Sequence, residues 1–169
     1  ITETTIRFLE VCVQTGIDGV FYAVQHASFD LLSQTEFYEF GKQYDFQVLE
    51  GVKNRWLNMV HIHGDNLMFD DIIDYPVQIL NWHDRHTPPD LKTSLQKFDG
   101  VVCGGLRRWE TMALGTSQDI ENEALDAMEQ TNGKRLILGT GCVLPIVAPY
   151  GNILTARRIV GKTGGKLLE

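Results

Sequence analysis

Apolar residues recur along this chain in two alternating rhythms. From Thr2 to Thr15 they fall three or four apart, with Ile6, Leu9 and Val13 on one face; this predicts a helix that Gly16 ends. Asp18 to Val24 is instead a run of branched and aromatic residues, the signature of a strand. Ser33-Gln34-Thr35-Glu36 has the spacing of a capping box, so a helix starts there. Gly41 interrupts it, and Asp45 is placed to cap a second helix running to about Val52. Trp56 to His61 reads as the next strand, Leu67 to Ile73 as a short helix, and Val77 to Leu80 as a third strand with Pro76 at its start. Pro88-Pro89 opens a helix to about Phe98. Val101 to Cys103 is a fourth strand, ended by Gly104-Gly105. Ser117 caps a helix with Asp119 and Glu121 in its first turn and Ile120, Ala124, Ala127 and Met128 on one face, and Asn132-Gly133 stops it. Leu136 to Leu138 is the fifth strand, and Pro149 starts a last helix carrying Ile153, Ala156 and Val160.

Strands alternating with helices, without a long linker or a shift in composition, predict an α/β fold with a parallel sheet. Five strand-helix units are too few for a closed eight-stranded barrel, which takes about 250 residues. An open doubly wound sheet and the later part of a barrel both fit the periodicity.

Composition narrows this picture in a few places. At 169 residues, with 43% hydrophobic and 22% charged positions, the chain can bury a sizeable core and reads most simply as one domain over 1–169. A net charge of −7 opposes broad attraction to nucleic acid or to an anionic membrane. No apolar run approaches membrane-spanning length, and Ile1-Thr2-Glu3-Thr4 lacks the basic and apolar regions of a signal peptide. Cys12, Cys103 and Cys142 are odd in number and widely spaced, a poor disulfide framework that fits a reducing, cytoplasmic setting. A helix already under way at Ile1 suggests that an earlier part of the chain is absent.

Candidate chemistry gathers where strands end. His61-Ile62-His63-Gly64-Asp65 follows one strand and Gly139-Thr140-Gly141-Cys142 another, which puts two imidazoles and a thiol at the position where strand-helix proteins collect their reactive groups. Residues two apart in an extended strand point the same way, so His61 and His63 share a face. Three nitrogen and sulfur donors suit zinc, and a fourth position left open suits catalysis. The plainer alternative packs one histidine, uses the other in a turn and buries Cys142 as a small apolar residue. Asn81-Trp82-His83-Asp84 follows a third strand. There Trp82 could wall a substrate pocket and His83 or Asp84 could move protons, or the segment is a loop with a half-buried aromatic. Gln25 and His26 follow the first strand as pocket lining, while His86 is expected in solvent. Gly104-Gly105-Leu106-Arg107-Arg108 lets backbone approach closely and offers guanidinium groups to a carboxylate or phosphate, or else forms an exposed helix start. No Walker loop, Gly-x-Gly-x-x-Gly fingerprint or Gly-x-Ser-x-Gly elbow is present.

The order of these segments resembles the later part of the uroporphyrinogen decarboxylase superfamily, which includes zinc-dependent methylcobamide:thiol methyltransferases. The matching pieces are Asp18-Gly19-Val20-Phe21, Gln25-His26-Ala27-Ser28, the His61-to-Gly64 turn, Asn81-Trp82-His83-Asp84, Gly104-Gly105-Leu106, and Gly139-Thr140-Gly141-Cys142 through Pro145 and Asn152. The resemblance runs from about Thr2 to Gly161 and implies a TIM-type (β/α)8 barrel, of which this chain supplies the last five strands. It implies a methyltransferase or carboxy-lyase. In the methyltransferase branch the zinc motif is similar to His-x-Cys and a distant Gly-Cys, so His61 and Cys142 match ligands while His63 stands where a cysteine is usual. In the decarboxylase branch, which uses no metal, the final turn is Gly-His where this chain has Gly141-Cys142.

The resemblance therefore implies zinc on His61, His63 and Cys142, with His83 and Asp84 catalytic and Gln25, His26, Trp82, Gly104 and Arg107 lining the substrate site. The substrate would be a small thiol, and the methyl donor a corrinoid on a partner protein. The runner-up is cofactor-free decarboxylation of tetrapyrrole acetate side chains. A third expectation is a non-catalytic half-barrel, whose open sheet edges and apolar inner face favour homo-oligomers.

Overall fold

The computed structural model describes residues 1–163; the last six residues of the 1–169 domain reading lie outside the described residues. Five short strands form one parallel sheet in sequence order, β1 (Phe21–Val24), β2 (Met59–Ile62), β3 (Ile79–Trp82), β4 (Val101–Leu106) and β5 (Leu136–Thr140). Helices α1 (Thr2–Gln14), α2 (Gln34–Phe37), α3 (Gln43–Glu50), α4 (Leu91–Lys97), α5 (Ser117–Thr131) and α6 (Tyr150–Thr163) alternate with them. The chain divides into two compact units, 1–80 and 81–169, with the division inside β3. No helix among the described residues is long and apolar enough to cross a membrane.

In 1–80, β1 and β2 run parallel with Tyr22 opposite Val60 and Ala23 opposite His61. His63 extends the ladder past the strand, since its N–H donates to the Val24 carbonyl at 3.0 Å. Val24, Val60 and Ile62 join Phe37, Leu49 and Ile72 in a buried core. Ser33 and Glu36 form the expected capping box. Gly41, expected to break that helix, does not: Tyr38–Lys42 takes a π-helical turn that leads directly into α3. A Cβ at Gly41 would lie 2.9 Å from the Phe37 ring, so glycine admits the ring here and leaves the helix unbroken. Asp45, expected as a cap, instead lies half-buried within α3 and accepts the hydroxyls of Tyr22 and Tyr75 at 2.6 Å each. Burial raises its pKa, and both hydrogen bonds pull the other way. The expected helix over Leu67 to Ile73 shrinks to a single 3-10 turn, Phe69–Asp71.

In 81–169, β4 pairs with β5 in parallel, Cys103 opposite Ile137 and Gly105 opposite Gly139. Gly104 and Gly105 were expected to end the fourth strand, but β4 passes through both. A Cβ on Gly104 would meet the Asp84 carboxylate at 2.4 Å, and Gly105 holds φ at +102°, which favours glycine. Thr116, one residue before the expected Ser117, caps α5 through a box with Asp119, and Asn132 closes the helix in the left-handed conformation. Ile120 and Ala124 of α5 pack with Leu106, Met112 and Ile159 into one apolar cluster. Asn152 of α6 secures the loop before α5 by donating to the carbonyls of Met112 and Gly115, both at 3.1 Å.

Candidate functional site

The strand ends place the chemistry. In 1–80, His61 sits in β2 and is buried, and His63 lies just beyond the strand, half-buried. Their ring centroids are 5.7 Å apart with a 57° tilt, as the two-residue repeat of a strand requires. Phe21, on the adjacent strand, stacks on His61 at 6.0 Å and fixes one side of its ring. Gln25 and His26 lie in the exposed loop after β1.

In 81–169 the expected third strand is displaced by two residues, so Asn81 and Trp82 lie within β3. Asn81 is tolerated there because its amide donates to the carbonyls of Cys103 at 2.8 Å and Thr140 at 3.1 Å. Trp82 is completely buried, and its indole N–H donates to the Pro89 carbonyl at 2.9 Å. The half-exposed loop aromatic weighed from sequence is thereby replaced by a core residue. The shift leaves His83, not Asn81, as the first residue past the strand.

His83 and Cys142 share the wall of a narrow recess with Asp84, Arg107 and Arg108. Gly141 allows this approach: a Cβ there would lie 2.5 Å from the Trp82 carbonyl oxygen and 2.8 Å from the His83 Cα. Thr140 Oγ1 donates to the Cys142 carbonyl at 2.6 Å, which tightens the turn carrying the thiol. The expected solvent exposure of His86 is what the structure shows, with its Nε2 3.7 Å from Glu110.

Asp84 is nearly enclosed and accepts the Gly105 N–H with both oxygens, at 3.2 and 3.1 Å. Burial pushes its carboxyl up to about 6, against the opposing effects of that hydrogen bond and of Arg85. Arg85, which sequence reasoning passed over, fixes the loop after β3. Its Nε donates to the Gly105 carbonyl and one Nη to the Glu123 carbonyl, both at 2.9 Å, and the other Nη pairs with Asp126. Arg107 is paired with Glu123 at 2.7 Å. Cys103 is partly buried, and burial pushes its thiol up to about 11, unlike a metal-binding thiolate.

Two pairs of side chains offer donors that a metal could use: His61 and His63 in 1–80, and His83 and Cys142 in 81–169. Three imidazole nitrogens and a thiol are a donor set that suits zinc. His83 is the member that sequence reasoning assigned to proton transfer; the available signal was its position at a strand end, shared with the other three.

Two solved structures share the fold. A methyltransferase from Methanosarcina mazei aligns with a TM-score of 0.81 at 23% identity over 96% of this chain and 47% of its own. A B12-independent methionine synthase from Shewanella sp. W3-18-1, in complex with selenomethionine, aligns with a TM-score of 0.68 at 15% identity over 99% of this chain and 54% of its own. The chain thus spans about half the length of either. No curated protein matches it. The uroporphyrinogen decarboxylase (URO-D) family model matches residues 1–162, and the chain belongs to that family.

Proposed function

We propose that this chain carries the metal-binding half of a methyltransferase that delivers a methyl group to a thiol. The observations that carry the proposal are the His61 and His63 rings 5.7 Å apart in 1–80 and the His83 and Cys142 side chains on one recess wall in 81–169. Zinc bound there would lower the pKa of a coordinated thiol, so that thiolate is present at neutral pH to accept a methyl group. His61 and His63 are directed by their strand and steadied by Phe21. Cys142 is held by the turn that Thr140 closes. Four protein donors would close a zinc site, whereas catalysis needs a position for the substrate. His83, on the loop clamped by Arg85, is the donor assigned to yield that position and to take up the thiol proton at an imidazole nitrogen.

The methyl donor proposed from the family resemblance is a corrinoid carried by a partner protein. The likeness to the methyltransferase from M. mazei supports methyl transfer. The second neighbour is described as B12-independent, so the shared fold alone does not select a corrinoid. Decarboxylation of a tetrapyrrole is the competing reaction, and metal content separates the two. Purified protein should hold close to one zinc per chain, and Cys142→Ser or His61→Ala should lower that content sharply while the fold persists by circular dichroism. Stoichiometric zinc in Cys142→Ser, or none in the carefully prepared parent, would overturn the proposal and leave the decarboxylase reading.

A further inference from the structure

We propose that Arg85 is a positioning residue, which registers the loop after β3 against β4 and α5 and so sets where His83 stands beside Cys142. Its functional weight rests on the methyl-transfer reading, in which His83 yields the open position and takes up the thiol proton. β3 ends at Trp82, so the regular strand no longer directs His83. The loop folds on itself instead: the His83 carbonyl accepts the N–H groups of His86 at 2.8 Å and Thr87 at 2.9 Å. Such a turn holds its own shape but not its place on the sheet. The next two side chains supply the place. Asp84 takes the Gly105 N–H and the Arg85 Nε takes the Gly105 carbonyl, so both polar groups of one β4 residue are gripped from the loop.

Glycine at 105 also brings α5 within reach, since a Cβ there would lie 2.6 Å from that of Ala127. Glu123 and Asp126 stand on the same side of α5 as Ala127, three or four residues apart. One Arg85 Nη donates to the Glu123 carbonyl at 2.9 Å and the other pairs with Asp126. The Arg85 side chain is only 14% exposed. A charge pair with half-exposed Asp126 alone would add little and would need no particular geometry. Two backbone carbonyls on different elements do need it, because only a planar fork presents donors in those fixed directions. On the other side of His83, a Cβ at Gly141 would lie 2.8 Å from its Cα. The turn carrying Cys142 therefore packs against the very backbone that Arg85 tethers, and a loop released by Arg85 moves one of these two side chains relative to the other.

Two readouts test this: the His83 ring signal in nuclear magnetic resonance spectra of the metal-free protein, and affinity for cobalt(II) as a spectroscopic stand-in for zinc. Arg85→Ala should broaden or split the ring signal and weaken cobalt binding about tenfold or more. Millimolar guanidinium should restore both, and sodium chloride at the same ionic strength should not. Arg85→Lys, the variant to use if Arg85→Ala folds poorly, keeps the charge but not the fork and should disturb His83 in the same way. Asn152→Ala removes two hydrogen bonds to Met112 and Gly115 elsewhere in 81–169 and serves as the matched destabilisation. It should lower the melting temperature yet leave the ring signal and cobalt affinity as in the parent. The proposal is overturned if the Arg85 variants keep the parent's ring signal, if Arg85→Lys alone restores it, or if Asn152→Ala disturbs it as much. A parent that binds no cobalt defeats the methyl-transfer reading instead, and the ring signal of the metal-free protein still decides the role of Arg85.

Discussion

Adding one methyl group at Gly141 should loosen both the fold and the ligand group. The Cβ of Gly141→Ala would lie 2.5 Å from the Trp82 carbonyl oxygen and 2.8 Å from the His83 Cα. Both are backbone atoms, so no side-chain rotation relieves the overlap. Real Cβ atoms essentially never come closer than 3.0 Å, so the turn and the end of β3 must part by at least 3.0 − 2.5 = 0.5 Å. Overpacking of this kind costs about 1–3 kcal/mol. For a chain of this size each kcal/mol lowers the melting temperature by about 2–4 °C, so a fall of roughly 2–12 °C is expected. The same displacement separates His83 from Cys142 by more than the roughly 0.2 Å that metal-ligand distances tolerate, so zinc affinity should fall about tenfold or more. Thermal melts and a competitive zinc titration read the two effects. Gly151→Ala is the control: nothing lies within 4 Å of its Cβ, and in α6 alanine should be neutral or stabilise by about 0.5–1 kcal/mol. A Gly141→Ala protein that melts within about 1 °C of the parent and binds zinc equally well would refute this account of the turn.

Two further outcomes rest on Asp84, which is buried, and on Asp45, which is half-buried. The Asp84 carboxyl is raised from 3.8 to about 6 in the fold, so between those values the folded chain binds more protons than the unfolded one. Stability should therefore fall, by on the order of 3 kcal/mol, as pH rises through that window and then level off. In metal-free Asp84→Asn this fall should vanish, and denaturant midpoints with the same pH dependence as the parent would refute it. Tyr75→Phe removes one of the two hydroxyls donated to half-buried Asp45 and should cost about 1.5–3 kcal/mol in chemical denaturation. Its effect should be non-additive with Tyr22→Phe, because both hydroxyls satisfy one carboxylate; strict additivity would count against a shared network.

Much of the fold was legible from local chemistry. The β-branched runs marked the strands, and Ser33 with Glu36 specified a capping box that formed as written. The positions that misled were those whose role depends on distant residues. Gly41 reads as a breaker but accommodates the Phe37 ring, and Asp45 reads as a cap but receives two tyrosine hydroxyls from elsewhere in the sequence. Gly104 and Gly105 read as a strand end, yet they continue β4 because Asp84 leaves no room for a Cβ and the backbone takes a positive φ.

For the site, the sequence by itself determined which residues are chemically suited to a metal and that His61 and His63 share a face, since a strand repeats every two residues whatever surrounds it. Only the tertiary structure decided that His83 lines the same recess as Cys142. That depended on the two-residue placement of β3, which Asn81 permits through carbonyl partners in β4 and β5, 22 and 59 residues away. It also decided that Trp82 is core and that Arg107 is spent on Glu123 while Arg108 is not. The physical reason is the same in each case. A periodic pattern is a property of neighbouring residues, whereas the pairing of a polar group inside a fold is a property of whatever the chain brings against it.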